Sequence, residues 1–270
     1  MSDFSNKIRT NLKNGTLIIN GFNALKNRML KYTLNNNLFY IFDEDRVRTK
    51  KYLSNIPLID ENHYLAGNYY LDKRVPLSKS SVVYSLGILN DIRFDRFISN
   101  QVGCSIFMYD PTPLSIEFMN KQRDKNFKFF PYGVWTEETT LKFYAPKYGG
   151  SSSILESSET IEFDFFEAKC YTMSQLMARN GHGSIDLFKA DIEGAALPIL
   201  EQMIEQKVFP KEIVVEFERP REDKSQIDDF FFRVDDVRKK LKEEGYSEYL
   251  IPRRHAKYYS IEFLFVILTN

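Results

Sequence analysis

From Ser81 onward the apolar positions alternate between two patterns: short continuous runs, and longer stretches where they recur at helical spacing. Val82 and Val83 open SVVYSL, which predicts a strand, and residues 92–101 predict the helix after it. CSIFMYD predicts the next strand and PLSIEFMNKQRD the next helix. KFFPYGVW and TTLKFYAP read as strands, the second with Leu141 and Phe143 alternating against Lys142 and Tyr144. ETIEFDFFEAKCY alternates likewise at Ile161, Phe163 and Phe165. In TMSQLMARNGHG, Thr172 and Gln175 fit a capping box, each side chain satisfying an amide of the first turn, and Gly181 or Gly183 ends the helix. SIDLFKAD and EIVVEFE are strands separated by AALPILEQMIEQ, a helix that tolerates Pro198 only near its first turn. Phe230, Val234, Val237 and Leu241 mark a last helix before Gly245, and YYSIEFLFVIL is the final strand.

Strands separated by helices predict an α/β fold with a doubly wound, mostly parallel, Rossmann-like sheet, and the end of the chain is compatible with an antiparallel final pair. Residues 1–80 read differently. They hold NALKNRMLKYTLNNN and the charged DEDRVRTKKYL without a clear strand order, and predict a helical N-terminal extension packed on a main domain of residues 81–270. The chain shows neither an internal repeat nor a Pro- or Ser-rich linker.

Composition narrows the function classes. Hydrophobic residues at 43% and charged residues at 27% give a globular balance. Lys+Arg and Asp+Glu both number 37, so the basic excess expected of a nucleic-acid binder is missing. MSDFSNKIRT lacks an apolar signal core, and no stretch approaches the roughly 18 apolar residues of a membrane span. Cys104 and Cys170 stand far apart, giving neither a disulfide framework nor a metal knuckle. Together these features predict a cytoplasmic protein without nucleic-acid or membrane partners; its oligomeric state is left open.

In doubly wound sheets, ligands bind outside the C-terminal ends of the strands, near the point where strand order reverses. Three strand ends therefore attract attention. The first is Ser85-Leu86-Gly87-Ile88-Leu89-Asn90-Asp91. The second is Tyr109-Asp110-Pro111, with Asp110 placed 23 residues after Gly87, where an acidic side chain ordinarily takes a ribose diol. The third is Lys189-Ala190-Asp191-Ile192-Glu193-Gly194. Asp191 and Glu193 serve either as helix caps or as acid–base groups, and the pair could also hold a divalent cation, although no further ligand stands at matching spacing. His182, just before the same strand, is an alternative base.

The run VVYSLGILNDIRFD, then FMYDPTP, GVWTEETTLKFYAPK and LFKADIEGAALPIL, resembles the FkbM-type methyltransferases, a branch of the class I S-adenosylmethionine-dependent enzymes. The resemblance covers roughly residues 63–268 and centres on Lys189, Asp191, Glu193 and Gly194, which keep the family's Lys-x-Asp-x-Glu-Gly stretch. Leu89 stands where the family often has glycine, Ala196 where it often has an acidic residue, and LAGNYYL where a glycine-rich segment is common. The resemblance implies S-adenosyl-L-methionine as cofactor and O-methylation of a small-molecule or glycan acceptor. It implies cofactor contacts from Ser85, Gly87, Ile88, Asn90, Asp110, Pro111 and Asp191, with Gly133 to Trp135 near adenine. Catalytic roles fall to Glu193, Asp191 and Lys189, with Glu193 facing the acceptor.

A single glycine at the first turn suits this cofactor. Three are required where the backbone must approach a pyrophosphate at a helix N-terminus, and S-adenosylmethionine carries no phosphate. The rival readings are a non-catalytic binding protein of the same fold and a nucleotide-dependent oxidoreductase, the latter disfavoured by the missing glycines. The N-terminal extension and the YGGSSSIL loop (148–155) are expected to shape the acceptor pocket, since loops on a shared scaffold carry specificity.

Overall fold

The computed structural model describes residues 49, 51–146, 163–220, 224–251 and 260–268. The 148–155 loop, Ile161 and nearly all of the N-terminal 50 residues lie outside the described residues. The chain divides into two compact units, Met1–Asn55 and Ile56–Asn270. In the first, residues 51–53 are helical.

The second unit begins with a hairpin, β1 (His63–Ala66) and β2 (Tyr69–Asp72), then β3 (Val83–Leu86), α1 (Arg93–Gln101), β4 (Ile106–Tyr109) and α2 (Pro113–Asn120). β5 (Phe127–Phe130), β6 (Gly133–Val134), β7 (Thr139–Pro146), β8 (Phe163–Tyr171), α3 (Met173–Asn180) and β9 (Leu187–Ala190) follow. The chain continues through α4 (Ala196–Glu205), β10 (Glu212–Glu218), α5 (Lys224–Glu243), β11 (Tyr246–Leu250) and β12 (Ser260–Ile267).

Seven strands form the main sheet in the order β11-β12-β10-β9-β3-β4-β5. β10, β9, β3, β4 and β5 are parallel, while β12 runs antiparallel to both β10 and β11. This is the doubly wound Rossmann-like sheet expected from the alternating pattern. The connections leave β3 toward β5 and leave β9 toward β12, so the strand order reverses between β3 and β9. Register sets what meets there: Leu86 pairs with Tyr109 on one side and Ala190 on the other, so three strands end level. Both faces of the sheet are covered: Val83, Leu86, Ile106, Met108 and Leu187 of these strands and Val214 of β10 are all at most 1% exposed, and Ser85 and Lys189 are buried among them.

The capping box is present as expected. Thr172 Oγ1 accepts from the Gln175 amide, Gln175 Oε1 accepts from the Thr172 amide, and Gly181 closes α3 in the left-handed region at φ 72°.

Three expectations are corrected. The stretch 63–72, read as part of a helical extension, is the β1–β2 hairpin. Its Gly67-Asn68 turn follows from close packing: Gly67 sits at φ +66°, where a Cβ would lie 2.5 Å from the Arg93 and Phe94 backbone. KFFPYGVW is two strands, broken at Pro131 and Tyr132, and β6, β7 and β8 form a separate three-stranded sheet. YSEYL, unassigned from sequence, is the edge strand β11.

Candidate active site

The level ends of β3, β4 and β9 bring Gly87, Asp110 and Asp191 side by side. The Gly87 amide donates to the Tyr109 carbonyl (3.1 Å), and the Asp191 amide to the Leu86 carbonyl (3.2 Å), so the sheet ladder continues into the first residue of each loop. Gly87 has φ +78°, and a Cβ there would stand 1.8 Å from the Asp191 carbonyl oxygen. The glycine is thus required by the approach of β9's exit as well as by the turn. Leu89 adopts φ 47°, the left-handed conformation that favours glycine, so the turn keeps its shape with leucine in that slot.

Asp110, 4% exposed, organises this turn. Its Oδ2 accepts from the Ile88 amide (2.7 Å) and the Leu89 amide (2.8 Å), and its Oδ1 from the Thr112 amide (2.8 Å) and the Thr112 hydroxyl (2.6 Å). The Ser115 hydroxyl donates to the Leu89 carbonyl (3.0 Å) and lies 2.7 Å from the Thr112 hydroxyl. Thr112 also caps α2, whose Pro113 occupies the first turn.

Lys189 points from β9 beneath the same turn. Its buried ammonium donates to the carbonyls of Leu86 (3.1 Å) and Gly87 (2.6 Å) and lies 5.3 Å from the Tyr69 ring centre. Asp191 accepts from the Tyr69 hydroxyl, which ties the β1–β2 hairpin to the end of β9. Asp95, on α1 and 1% exposed, has its pKa raised by burial, against which the Lys189 charge and the Ser85 hydroxyl act. Asp91 is bound by the Arg93 guanidinium, which holds its carboxyl below the ordinary range. The residue preceding α4 is Ala195, which has no side chain to cap the helix.

Most of these groups border one cavity of about 170 Å³. Of the residues singled out from sequence, it brings together Gly87, Ile88, Asp110, Pro111, Gly133, Lys189, Asp191 and Glu193. Ser85, Asn90 and Trp135 do not line it. Ser85 is fully buried below the turn, Asn90 is exposed, and Trp135 donates its amide to the Tyr171 carbonyl beside β6. Gly133 is small for a packing reason: a Cβ would meet Cys170 Sγ at 2.5 Å. His182 lies before β9, at the opposite end of that strand from Asp191. Its Nδ1 is 2.9 Å from the Tyr84 hydroxyl, its ring packs edge-on against Phe107, and burial lowers its pKa.

The sequence reading missed Asn68, Tyr69, Phe94, Asp95, Tyr132 and Phe143 on the cavity wall. Only the Gly67-Asn68 pair carried a local signal, as a two-residue hairpin turn. Among the described residues, no group of His, Cys, Asp and Glu is arranged to hold a metal ion, and no helix is long and apolar enough to cross a membrane.

Comparison with known proteins adds to this geometry. A family model described as the methyltransferase FkbM domain matches residues 20–248. No curated protein sequence matches the chain. Among solved structures it is similar to the Methanococcus jannaschii fibrillarin pre-rRNA processing protein, with a TM-score of 0.42 and 10% identity over 80% of this chain and 86% of that one. It is also similar to precorrin-6y C5,15-methyltransferase from Geobacter metallireducens GS-15, with a TM-score of 0.38 and 10% identity over 78% of this chain and 98% of that one.

Proposed function

The chain belongs to the FkbM methyltransferase family, and on that premise we propose that it moves a methyl group from S-adenosylmethionine to a hydroxyl oxygen of a neutral, hydroxyl-rich acceptor, a glycan or a secondary metabolite. The observation that carries the reading is the charge of the cavity wall. Among the described residues, Asp91, Asp95, Asp110, Asp191 and Glu193 line it against Lys189; Arg93 pairs with Asp91 and burial disfavours the charged form of Asp95, so the negative excess rests on Asp110, Asp191 and Glu193. A cofactor with a sulfonium and an ammonium meets counter-charge there. A dinucleotide pyrophosphate or a phosphorylated acceptor meets repulsion.

The residues present fit such a cofactor. The Gly87 turn, Pro111 and the Gly133–Val134 edge offer backbone and apolar walls, and Asp191 offers a fixed carboxylate. When bound, S-adenosylmethionine supplies an electrophilic methyl carbon, and transfer leaves a neutral thioether. Glu193 takes the proton from the acceptor hydroxyl as its oxygen forms the new bond to carbon. Asp191, held by Tyr69, stays in place as a counter-charge, and the strand ends position both partners for in-line attack.

The test is a screen of neutral sugars and hydroxylated metabolites beside their phosphorylated counterparts, followed by Glu193→Gln on whichever acceptor is methylated. Turnover is expected to fall by about 10²–10⁴-fold with melting close to that of the parent protein. A variant that turns over normally on a true acceptor removes Glu193 as the base, and methylation confined to phosphorylated acceptors removes the charge argument.

A further inference from the structure

We infer that Asn68 in the hairpin turn and Asp95 in the first turn of α1 form the subsite that receives the ammonium group at the amino-acid end of the cofactor. The inference rests on the S-adenosylmethionine reading above. Both residues line the cavity, and both Asn68 Oδ1 and Asp95 Oδ1 are buried without a hydrogen-bond donor among the described residues. Asp95 is 1% exposed, and a buried carboxyl oxygen without a donor is unfavourable. The nearby Ser85 hydroxyl offers one donor at most to a carboxyl group with about four acceptor sites. Lys189 directs two of its N–H groups to the Leu86 and Gly87 carbonyls. A ligand that brings N–H groups to this wall meets acceptors the protein leaves open.

The fold sets the two residues in one wall. Gly67 is seated on the Arg93 and Phe94 backbone, and the Tyr69 ring packs edge-on against Phe94 at 5.5 Å, so the hairpin turn stands against the start of α1. Asp91 orients the Asn68 amide group. A carboxylate only accepts, so it takes Asn68 Nδ2, at 3.5 Å, and turns Oδ1 away from itself. Asp91 is in turn fixed by the Arg93 guanidinium. Of the cofactor's groups, the sulfonium and the carboxylate carry no N–H, and the adenine amine and the ribose hydroxyls are neutral. Only the ammonium unites a positive charge with three donors. Burial favours the neutral form of Asp95, and an adjoining ammonium opposes that preference by favouring the carboxylate, which gives a charge-assisted hydrogen bond.

The experiment is calorimetric titration of the full chain with S-adenosylhomocysteine and with its deamino analogue, in which hydrogen replaces the amino group, for the parent protein, Asp95→Asn and Asn68→Ala. Thermal melts of each ligand-free protein fix the titration temperature below unfolding. The parent protein is expected to bind the deamino analogue about 10–100-fold more weakly than S-adenosylhomocysteine, the scale of a hydrogen bond to a charged group. Each variant should bind S-adenosylhomocysteine about tenfold more weakly and the deamino analogue as the parent does, because both changes remove the same contact. The inference is overturned if the parent protein binds the two ligands equally, or if the variants weaken both ligands by the same factor, which marks a structural role. It is also overturned if a folded variant keeps full affinity for S-adenosylhomocysteine, an outcome that Asn68→Ala leaves readable should Asp95→Asn not fold. A parent protein that does not bind S-adenosylhomocysteine removes the underlying reading, and this one with it.

Discussion

Replacing Gly87 by alanine tests the close approach at the centre of the site, with Gly181→Ala as its control. Both glycines are left-handed, at φ +78° and +72°, so both substitutions carry the backbone strain of an L-residue there, about 1–2 kcal/mol. They differ in space. At Gly181 nothing stands within 4 Å of the added Cβ, whereas at Gly87 the Asp191 carbonyl oxygen is 1.8 Å away and its carbon 2.8 Å. Backbone cannot yield as a side-chain tip does, so Gly87→Ala adds the cost of a forced shift, about 1–3 kcal/mol. Expected losses are therefore about 1–2 kcal/mol for Gly181→Ala and about 2–5 kcal/mol for Gly87→Ala. Urea unfolding followed by the fluorescence of Trp135, the one tryptophan in the sequence, measures both as midpoint shifts at constant slope. Because the shift moves Asp191, Gly87→Ala alone should also weaken S-adenosylhomocysteine binding. Equal midpoints for the two variants would refute the contact between the β3 and β9 exits.

Two further outcomes are expected. Leu89→Gly removes left-handed strain of about 1–2 kcal/mol and adds unfolded-chain entropy of about 0.5–1 kcal/mol, so stability rises by about 0–1.5 kcal/mol and cofactor binding persists; lost binding in a folded variant would make the leucine side chain a contact. Glu212, fully buried at the start of β10, has its pKa pushed up to about 8 by burial and by the Asp72 charge, against an ordinary value of 4.5. The folded state then holds this proton more tightly than the unfolded state, so the stability it contributes is fully present below pH 4.5 and lost as pH rises toward about 8. Glu212→Gln should flatten the stability profile across that window in denaturant titrations, and a profile as steep as the parent's would assign the slope to another group.

Much of the main sheet was legible because its parallel strands are short, mostly apolar runs stopped by turn residues. The same feature exposed Gly87, Asp110 and Asp191, each the first residue past a run. What local pattern does not record is which way a neighbour faces. Ser85 shares a strand with Leu86 but points below the turn, and Asn90 and Trp135 sit next to wall residues without joining them. Asp95 carried no local signal, yet it is 1% exposed and lies within reach of the Lys189 charge and the Ser85 hydroxyl. The Tyr69–Asp191 bond spans 122 residues, and its only local trace is the Gly67-Asn68 turn that aims β2 at the site. β11 escaped because polar Ser247 and Glu248 interrupt the apolar residues of YSEYL. Asp110 was found for its place at a strand end, whereas the donors that fill its carboxylate come from the folded turn and from Thr112.

The central claim, that the level ends of β3, β4 and β9 form a site for S-adenosylmethionine, is tested most directly by titrating the full chain with S-adenosylhomocysteine in a calorimeter, with NAD in parallel. The predicted result is saturable one-to-one binding of S-adenosylhomocysteine, with a melting temperature that rises with ligand concentration because only the native state binds, and no heat with NAD. Binding of NAD without S-adenosylhomocysteine, or of neither, would contradict it.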